Sequence, residues 1–295
     1  MSRIEVLKTY KIFINGQFPR TESGRYYTVA DKNGKVVANV CRSSRKDFRN
    51  AVVAARAAQS GWASKSALNR SQIVYRIAEI LEGRKYQIVE ELVKQGVAQK
   101  KAETEVVTSI DRIIYFSGWA DKYVQIYSTV NPVASSHFNF SLPEPTGVVS
   151  VIAPEEPSFL GLVSVMLPVI LSGNTCVILA SEKYPLSAVT FAEMLATSDL
   201  PGGVVNILTG FENELLPHFA NHMDVNAVVY TRGNEASLKT IQELAPMNVK
   251  RVILWNKKDW WKSEDAENPY LILDACEIKT TWHPIENIGV SGGKY

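Results

Sequence analysis

The sequence has little net charge and few cysteines, and each shortage argues against a class of function. Its 32 basic and 30 acidic residues leave a formal net charge of +2. This balance gives no electrostatic reason to expect a nucleic acid or an anionic membrane surface as a partner. The three cysteines, Cys41, Cys176 and Cys276, are widely separated and form no Cys-x-x-Cys pair. We therefore expect no disulfide framework, no metal site and a reducing compartment.

Long apolar segments are also missing. No segment approaches the roughly 20 apolar residues that a transmembrane helix requires. The longest apolar stretch, residues 159–171, is interrupted by Gly161, Ser164 and Pro168, and we predict that it is a buried helix. The N-terminal residues lack the apolar run of a signal peptide. These absences predict a cytoplasmic protein that makes no membrane contact.

The sequence does contain short strands followed by helices over residues 1–123, which we expect to form the N-terminal part of a cofactor-type domain. Asn33-Gly34 lies between two β-rich runs and predicts a hairpin. Ser44 precedes Asp47 by three positions, a variant of the capping box that predicts the start of a helix ending near Gly61. Apolar residues at helical spacing predict three more helices, over residues 67–82, 85–95 and 102–123.

The second half of the chain predicts an α/β fold. Residues 124–144 are β-rich and predict a hairpin that projects from the helical body. Over residues 145–256, five short apolar runs alternate with helical segments, which predicts a parallel sheet covered on both faces. The runs are 148–153, 175–179, 204–208, 227–231 and 251–255. Residues 257–295 predict a short helix, a final strand over 279–285, and an end that frays from residue 291.

Several segments, in order and without large gaps, resemble the aldehyde dehydrogenase superfamily. They include GVVSVIAP from Gly147, Ser172-Gly173-Asn174-Thr175, LPGGVVNILTG from Leu200 and HMDVNAVVYT from His222. The resemblance implies an aldehyde-dehydrogenase-like fold, with a Rossmann-type sheet for NAD(P) and with the 124–144 hairpin as an oligomerisation arm. It also implies a separate catalytic domain that carries the nucleophilic cysteine. Because only about 40 residues follow Trp255, we expect that domain to be missing from this chain.

The positions at which this family keeps its catalytic groups hold other residues. The Pro-Trp-Asn motif, whose asparagine stabilises the oxyanion, reads Pro154-Glu155-Glu156. The Leu-Glu-Leu-Gly-Gly motif, whose glutamate is the general base, has Trp255 in place of that glutamate. A carboxylate at Glu156 repels the charge that an oxyanion donor stabilises, and an indole accepts no proton from water. No cysteine lies in the Gly-Gln-x-Cys context, so we predict no catalytic residue in this chain.

The family's cofactor positions are changed in part. The Lys-Pro-Ser-Glu motif reads LASE over residues 179–182, which keeps Glu182 but replaces the lysine with Leu179. The Phe-Thr-Gly-Ser motif, which leads into a helix whose N-terminus meets the pyrophosphate, has Arg232 in place of its glycine. NAD(P) is the cofactor that the resemblance implies. The loss of the lysine counts against its binding, whereas Arg232 could attract a phosphate or, through its bulk, block close approach of the backbone. The vestigial cofactor-binding residues would be Ile152, Glu182, Gly210, Thr231 and Gly233.

The whole pattern is similar to the second, cysteine-less unit of the tandem family 16 aldehyde dehydrogenases. This implies a non-catalytic domain with a structural or oligomerisation role, as a homodimer or with an aldehyde-dehydrogenase-like partner unit. One alternative is that the chain belongs to an NAD(P)-dependent aldehyde oxidoreductase whose catalytic unit lies elsewhere in the gene or in a partner chain. Another is a nucleotide or small-molecule sensor. Without the catalytic domain, the final strand 279–285 is expected to pair with the arm.

Three further candidates have plain structural interpretations. Cys276 lacks the family's nucleophile context and is interpreted as a buried structural thiol. His218 and His222 have the i, i+4 spacing of zinc ligands but lack the accompanying glutamate, so we predict no metal. Glu155 and Glu156 would be an acid/base pair or, in the plainer interpretation, solvated carboxylates near a vacated cleft.

Overall fold

The computed structural model describes residues 6–285, so the predicted fraying from residue 291 lies outside it. In chain order the strands are β1 (Thr9–Tyr10), β2 (Tyr26–Ala30), β3 (Val36–Cys41), β4 (Thr129–Asn131), β5 (His137–Pro145), β6 (Val148–Ile152), β7 (Thr175–Leu179), β8 (Val205–Leu208), β9 (Ala227–Tyr230), β10 (Arg251–Leu254) and β11 (Cys276–Pro284). The helices are α1 (Arg45–Ala63), α2 (Ala67–Lys94), α3 (Gln99–Ser117), α4 (Tyr123–Tyr127), α5 (Ser158–Leu171), α6 (Leu186–Ala196), α7 (Glu212–Asn221), α8 (Glu235–Leu244), α9 (Ser263–Ala266) and α10 (Tyr270–Asp274).

A five-stranded parallel sheet forms the centre of the fold, which confirms the α/β prediction. Its strand order is β10-β9-β6-β7-β8, so the order reverses direction between β6 and β9. Helices α5 and α6 pack on one face under the α2–α3 layer, and α1 and α7 cover the other. Strands β6, β7, β8 and β9 are therefore buried along their whole length, as their largely apolar sequences predict.

The N-terminal hairpin and the start of the first helix agree with the predictions, whereas several helix boundaries do not. Strands β2 and β3 pair antiparallel, and Ser44 and Asp47 form a complete capping box at the start of α1. Helix α1 ends at Ala63, two residues after Gly61 and close to the predicted end.

The two helices predicted over residues 67–95 are one continuous helix, α2. Gly83 lies within it, and a methyl group added there would meet no atom within 4 Å, so this glycine marks a solvent-facing position and not a break. The helix predicted over residues 102–123 is α3, which begins at Gln99 and ends at Ser117. Its last turn closes where the backbone N–H of Gly118 donates to the Ile114 carbonyl, and the short helix α4 follows.

A second sheet, which we call the arm sheet, consists of β4, β5 and β11 in the order β11-β5-β4. Strands β4 and β5 form the predicted hairpin. The last strand begins at Cys276, earlier than predicted, and pairs antiparallel with all of β5, from Cys276 opposite Pro145 to Pro284 opposite His137. The expectation that the final strand pairs with the arm is thus what the structure shows.

Residues 256–275 fold back over α3 and α5 through one buried arginine. Arg112 of α3 is fully buried and donates to Ser164 Oγ (2.8 Å) and to the Trp260 carbonyl (3.4 Å). Its Nε lies 3.4 Å from Glu267 Oε1. Trp255 and Trp260 pack edge to face beside it, with ring centroids 6.3 Å apart. This segment covers part of the apolar surface of α5, and Trp260, Leu271 and Ile272 join the main core there.

Replacing Arg112 with methionine is expected to lower the free energy of unfolding by about 3–5 kcal/mol, because it leaves the Glu267 carboxylate and two buried acceptors without their donor. Urea denaturation monitored by tryptophan fluorescence measures the change. The control is Arg76→Met, which removes an exposed i, i+3 pair with Glu79 and is expected to alter stability little. Equal effects of the two substitutions would contradict the anchoring role of Arg112.

Candidate functional site at the carboxyl ends of the sheet

A cleft of about 960 Å³ opens beside the point at which the strand order reverses. Open α/β sheets bind ligands at this place, outside the carboxyl ends of the strands. The cleft is lined by four carboxylates (Glu155, Glu182, Glu212 and Glu214), three cations (Arg42, Lys183 and Arg232) and the residues Phe211, Asn213, Gly233, Asn234 and Ser237.

Two of the five predicted cofactor residues line this cleft, and three lie behind it. Glu182 and Gly233 are part of its wall. The buried Thr231 hydroxyl donates to the Ile152 carbonyl (2.7 Å), so these two residues hold β6 and β9 together. Gly210 has a φ of 147°, and a Cβ there would lie 3.2 Å from the backbone nitrogen of Ser43. Its glycine is thus needed for packing against the chain before α1.

Arg232 binds three carboxylates in the floor of the cleft. Its Nη1 lies 2.5 Å from Glu155 Oε1, 2.9 Å from Glu212 Oε2 and 3.4 Å from Glu182 Oε1. Its Nε and Nη2 donate to the carbonyls of Ala153 (2.9 Å) and Ala180 (3.2 Å). The side chain is only 8% exposed. We call Arg232, Glu155, Glu182 and Glu212 the Arg232 cluster.

The carboxylates of the Arg232 cluster are held by other donors as well. Glu155 accepts from the Ser181 hydroxyl (2.7 Å) and from the backbone nitrogens of Glu182 (3.1 Å) and Lys183 (3.3 Å). Glu182 accepts from the backbone nitrogen of Glu212, and Glu212 accepts from the Tyr230 hydroxyl (3.2 Å). Four loops therefore converge on one guanidinium group, and its charge is already compensated within the chain.

The two residues at the family's catalytic positions do not come together as a catalytic pair. Glu156 is partly exposed and binds Lys183 (2.8 Å) and Lys101 (3.9 Å). Trp255 is buried, and its indole nitrogen donates to Asp274 Oδ2 (3.0 Å). The carboxylate of Glu155, the neighbour of Glu156, is bound by Arg232 instead, so the two glutamates face different cations and do not form an acid/base pair in this structure.

The cysteines and histidines are arranged as structural residues. All three cysteines are buried. Burial raises the pKa of the Cys276 thiol to about 12, and its Sγ donates to the Ile272 carbonyl (3.2 Å). Burial likewise lowers the pKa values of His218 and His222 on and after α7. Among residues 6–285 no group of three or more metal-ligating side chains is found. In the same range no helix is both long and apolar enough to cross a bilayer.

Two carboxylates, one in the cleft and one behind it on α3, were missed at the level of sequence. Glu212 belongs to the Arg232 cluster, and its position at the start of α7, on the connection that follows β8, is the signal that would have indicated it. Glu105 is buried on α3, and its Oε1 accepts from the backbone nitrogens of Phe159 (2.7 Å) and Leu160 (3.1 Å), the first turn of α5. Burial raises the pKa of Glu105, although both hydrogen bonds favour its ionised form.

Comparison with known proteins places this architecture in a family. Residues 18–256 match the model of the Aldehyde dehydrogenase family. Aldehyde dehydrogenase family 2 member C4 of Arabidopsis thaliana is 30% identical over 285 residues, which cover 94% of this chain and 54% of the relative. Mitochondrial 10-formyltetrahydrofolate dehydrogenase of Homo sapiens is 28% identical over 284 residues, which cover 94% of this chain and 30% of the relative.

The fold has close counterparts among solved structures. The NAD+ complex structure of aldehyde dehydrogenase from Bacillus cereus superposes with a TM-score of 0.77 at 26% identity. The superposition covers 83% of this chain and 50% of the Bacillus cereus chain. This chain therefore spans only about a third to a half of the length of the relatives named.

Replacing Arg232 with methionine is expected to lower the free energy of unfolding by about 3 kcal/mol, because three carboxylates then face one another without a cation. Chemical denaturation at neutral pH measures the change. The matched control is Lys183→Met, which removes an exposed partner of Glu156 in the same cleft and is expected to be nearly neutral. A stable Arg232→Met variant would show that the cluster contributes no stability.

Replacing Glu105 with glutamine is expected to remove one pH-dependent part of the stability. A carboxyl whose pKa is raised by folding contributes stability that is present below its unfolded pKa and is lost as the pH rises through the folded pKa. The wild type should therefore lose unfolding free energy relative to Glu105→Gln as the pH rises above about 4, the ordinary pKa of a glutamate. Denaturation across this range measures the difference. Glu103→Gln, an exposed change on the same helix, should show no such trend.

Proposed function

The chain belongs to the aldehyde dehydrogenase family, and we propose that it is a non-catalytic unit of that family with a structural role in assembly. The observation that supports this most strongly is the Arg232 cluster. Arg232 takes the place of the glycine that precedes the pyrophosphate-binding helix in the family's motif. The cluster therefore fills the part of the cleft where a pyrophosphate would lie. The only arginine in the floor of that cleft, within the described residues, is committed to Glu155, Glu182 and Glu212.

The residues of the cleft do not fit a dinucleotide. A pyrophosphate carries two negative charges and would have to approach a guanidinium group that three carboxylates already surround. Leu179, which replaces the family's lysine, is fully buried in β7 and supplies no cation. Coulomb repulsion from carboxylates at a few ångströms opposes a phosphate most strongly where water is scarce. The proposed unit therefore does not hold NAD(P) at this cleft.

The chemistry of aldehyde oxidation also lacks its groups. Glu156 presents a carboxylate where the family presents an amide to the oxyanion. Trp255 is a hydrogen-bond donor only, and its donor is used by Asp274. The three thiols are buried, so none of them is presented to a substrate. Covalent catalysis through a thiohemiacetal has no nucleophile among these residues.

The arm sheet supports the assembly role, as a homodimer or with an aldehyde-dehydrogenase-like partner unit.

A second candidate function is supported by the fraction of its relatives that the chain spans, 30% and 54% in the two cases named. In this version the chain scaffolds an NAD(P)-dependent aldehyde oxidoreductase whose catalytic unit is encoded elsewhere in the gene or in a partner chain. The genomic sequence upstream of Met1 distinguishes the two. An in-frame unit with a Gly-Gln-x-Cys motif favours the second.

Titration of the purified chain with NAD and NADP is expected to give no calorimetric heat and no thermal shift at millimolar ligand, and incubation with aldehydes is expected to give no reduced cofactor. The informative variant is Glu155→Trp/Glu212→Gln/Arg232→Gly, which restores two of the family's residues and leaves Glu182, which the family's motif also has, as the one carboxylate of the cluster. We expect this variant to gain an NAD-dependent thermal shift that the parent chain lacks.

Two results would contradict the proposal. One is saturable dinucleotide binding to the unmodified chain. The other is aldehyde-dependent NAD reduction that persists in Cys276→Ala, since that variant lacks the cysteine nearest to the C-terminal end.

A further inference from the structure

Strand β11 is an open edge of the arm sheet. It pairs with β5 on one side, and no strand within residues 6–285 pairs with its other side. Every residue of β11 after Cys276 is exposed. Ile278 and Trp282 keep 53% and 57% of their surface accessible. A nine-residue edge with exposed apolar side chains is a template for a further strand, and natural proteins rarely leave such an edge uncovered.

The sequence of β11, CEIKTTWHP, is complementary to itself when it is read antiparallel about Thr280. A two-fold axis through Thr280 places Glu277 opposite His283 and Ile278 opposite Trp282 of the second copy. It also places Lys279 opposite Thr281 and one Thr280 opposite the other. Cross-strand pairs of opposite charge or hydrogen-bonding character, and of aromatic with β-branched residues, stabilise antiparallel ladders. No like charges face each other in this register.

Pairing about the neighbouring residues gives less favourable cross-strand pairs. An axis through Lys279 would place two ammonium groups directly opposite each other, which destabilises a sheet. An axis through Thr281 would place Lys279 opposite His283 and leave Glu277 without a basic partner. Registers displaced toward Cys276 meet a second obstacle, because the Cys276 carbonyl already accepts a hydrogen bond from Arg251. The free part of the edge therefore extends from residue 277 to 284, and Thr280 lies near its middle.

The face of the sheet that carries Thr280 is also continuous across this axis. Thr280 Oγ1 lies 2.8 Å from Ser141 Oγ, and Ser141 accepts from Asn131 (3.0 Å), so a polar row crosses all three strands of the arm sheet. Joining two copies at Thr280 extends this row through the axis. The same step brings Ile278 and Trp282 of each copy together on that face.

We propose that two copies of this chain associate by pairing their β11 strands antiparallel about Thr280, which creates a continuous six-stranded arm sheet. This rests on the proposed assembly role and specifies its partner as a second copy. The interface is isologous, with the same strand contributed by both copies, as closed two-fold dimers require.

Thr280→Cys tests the register directly, because the residue on the axis faces its own counterpart. Under mild oxidation the full-length variant is expected to form a covalent dimer, seen by non-reducing electrophoresis and reversed by reductant. The native thiols give little background because all three are buried. The control is Thr281→Cys, which lies on the opposite face and two residues out of register with its counterpart. It should remain uncrosslinked under the same conditions.

A charge exchange gives an independent readout. His283→Glu places two acidic pairs across the axis and should raise the dimer dissociation constant, measured by analytical ultracentrifugation, by about three- to tenfold. The double variant Glu277→Lys/His283→Glu again pairs opposite charges across the axis and should return the dissociation constant to about that of the parent chain.

A chain that is monomeric at high micromolar concentration would overturn self-association and leave assembly with a different aldehyde-dehydrogenase-like unit. A dimer in which Thr280→Cys does not crosslink would overturn the β11 pairing while leaving the assembly role intact. Dinucleotide binding or turnover, tested separately, bears on the non-catalytic proposal and not on this one.

Discussion

The guanidinium group of Arg232 is the point on which the carboxyl-terminal edge of the central sheet depends. Arg232 lies on the loop after β9, and the loops after β6 and β7 and the first turn of α7 each send a carboxylate or a carbonyl to it. A parallel sheet leaves these loops at one edge, where a bound ligand often organises them. Here a side chain of the protein organises them instead. The cleft is thus kept in shape by covalently attached groups, whatever the concentration of any ligand.

The sheet with its covering helices and the loops at its carboxyl ends are stabilised in different ways. The packing of the strands against α5 and α1 is stabilised mainly by buried apolar side chains. The loops at the carboxyl ends of the strands carry charged residues, and these charges compensate one another. Residues 255–275 show similar internal pairing, because Trp255 packs against Trp260, whose carbonyl accepts a hydrogen bond from Arg112.

Most of the architecture could be predicted from the sequence, because burial on both faces gives parallel strands long apolar runs. Strand β7 has the predicted bounds, and the others differ by one residue at an end. The helix boundaries were harder. Gly83 suggests a break, but an exposed glycine costs a long helix only about 1 kcal/mol, which the packing of α2 readily outweighs. Changed motif positions identified Arg232, Leu179 and Trp255, since each lies within a recognisable motif.

What the sequence could not indicate was how those residues are paired. Arg232 could be interpreted as an attraction for phosphate, and only its distances to Glu155, Glu182 and Glu212 show that its charge is compensated. Glu105 and Glu212 lie in no motif, and their roles depend on helices brought together by the fold. The predicted residues Ile152 and Thr231 also have a structural role that only the hydrogen bond between them reveals.

The complete burial of helix α5 has a consequence for hydrogen exchange. All fourteen of its residues are buried between the sheet and the outer helices, so no part of it reaches solvent through local fraying. Exchange of its amide hydrogens with water must await opening of the whole unit. The slowest amides of this helix would therefore report the global unfolding free energy, whereas those of the arm sheet would report only local opening. One segment thus serves as an internal gauge of the stability of the whole folded unit.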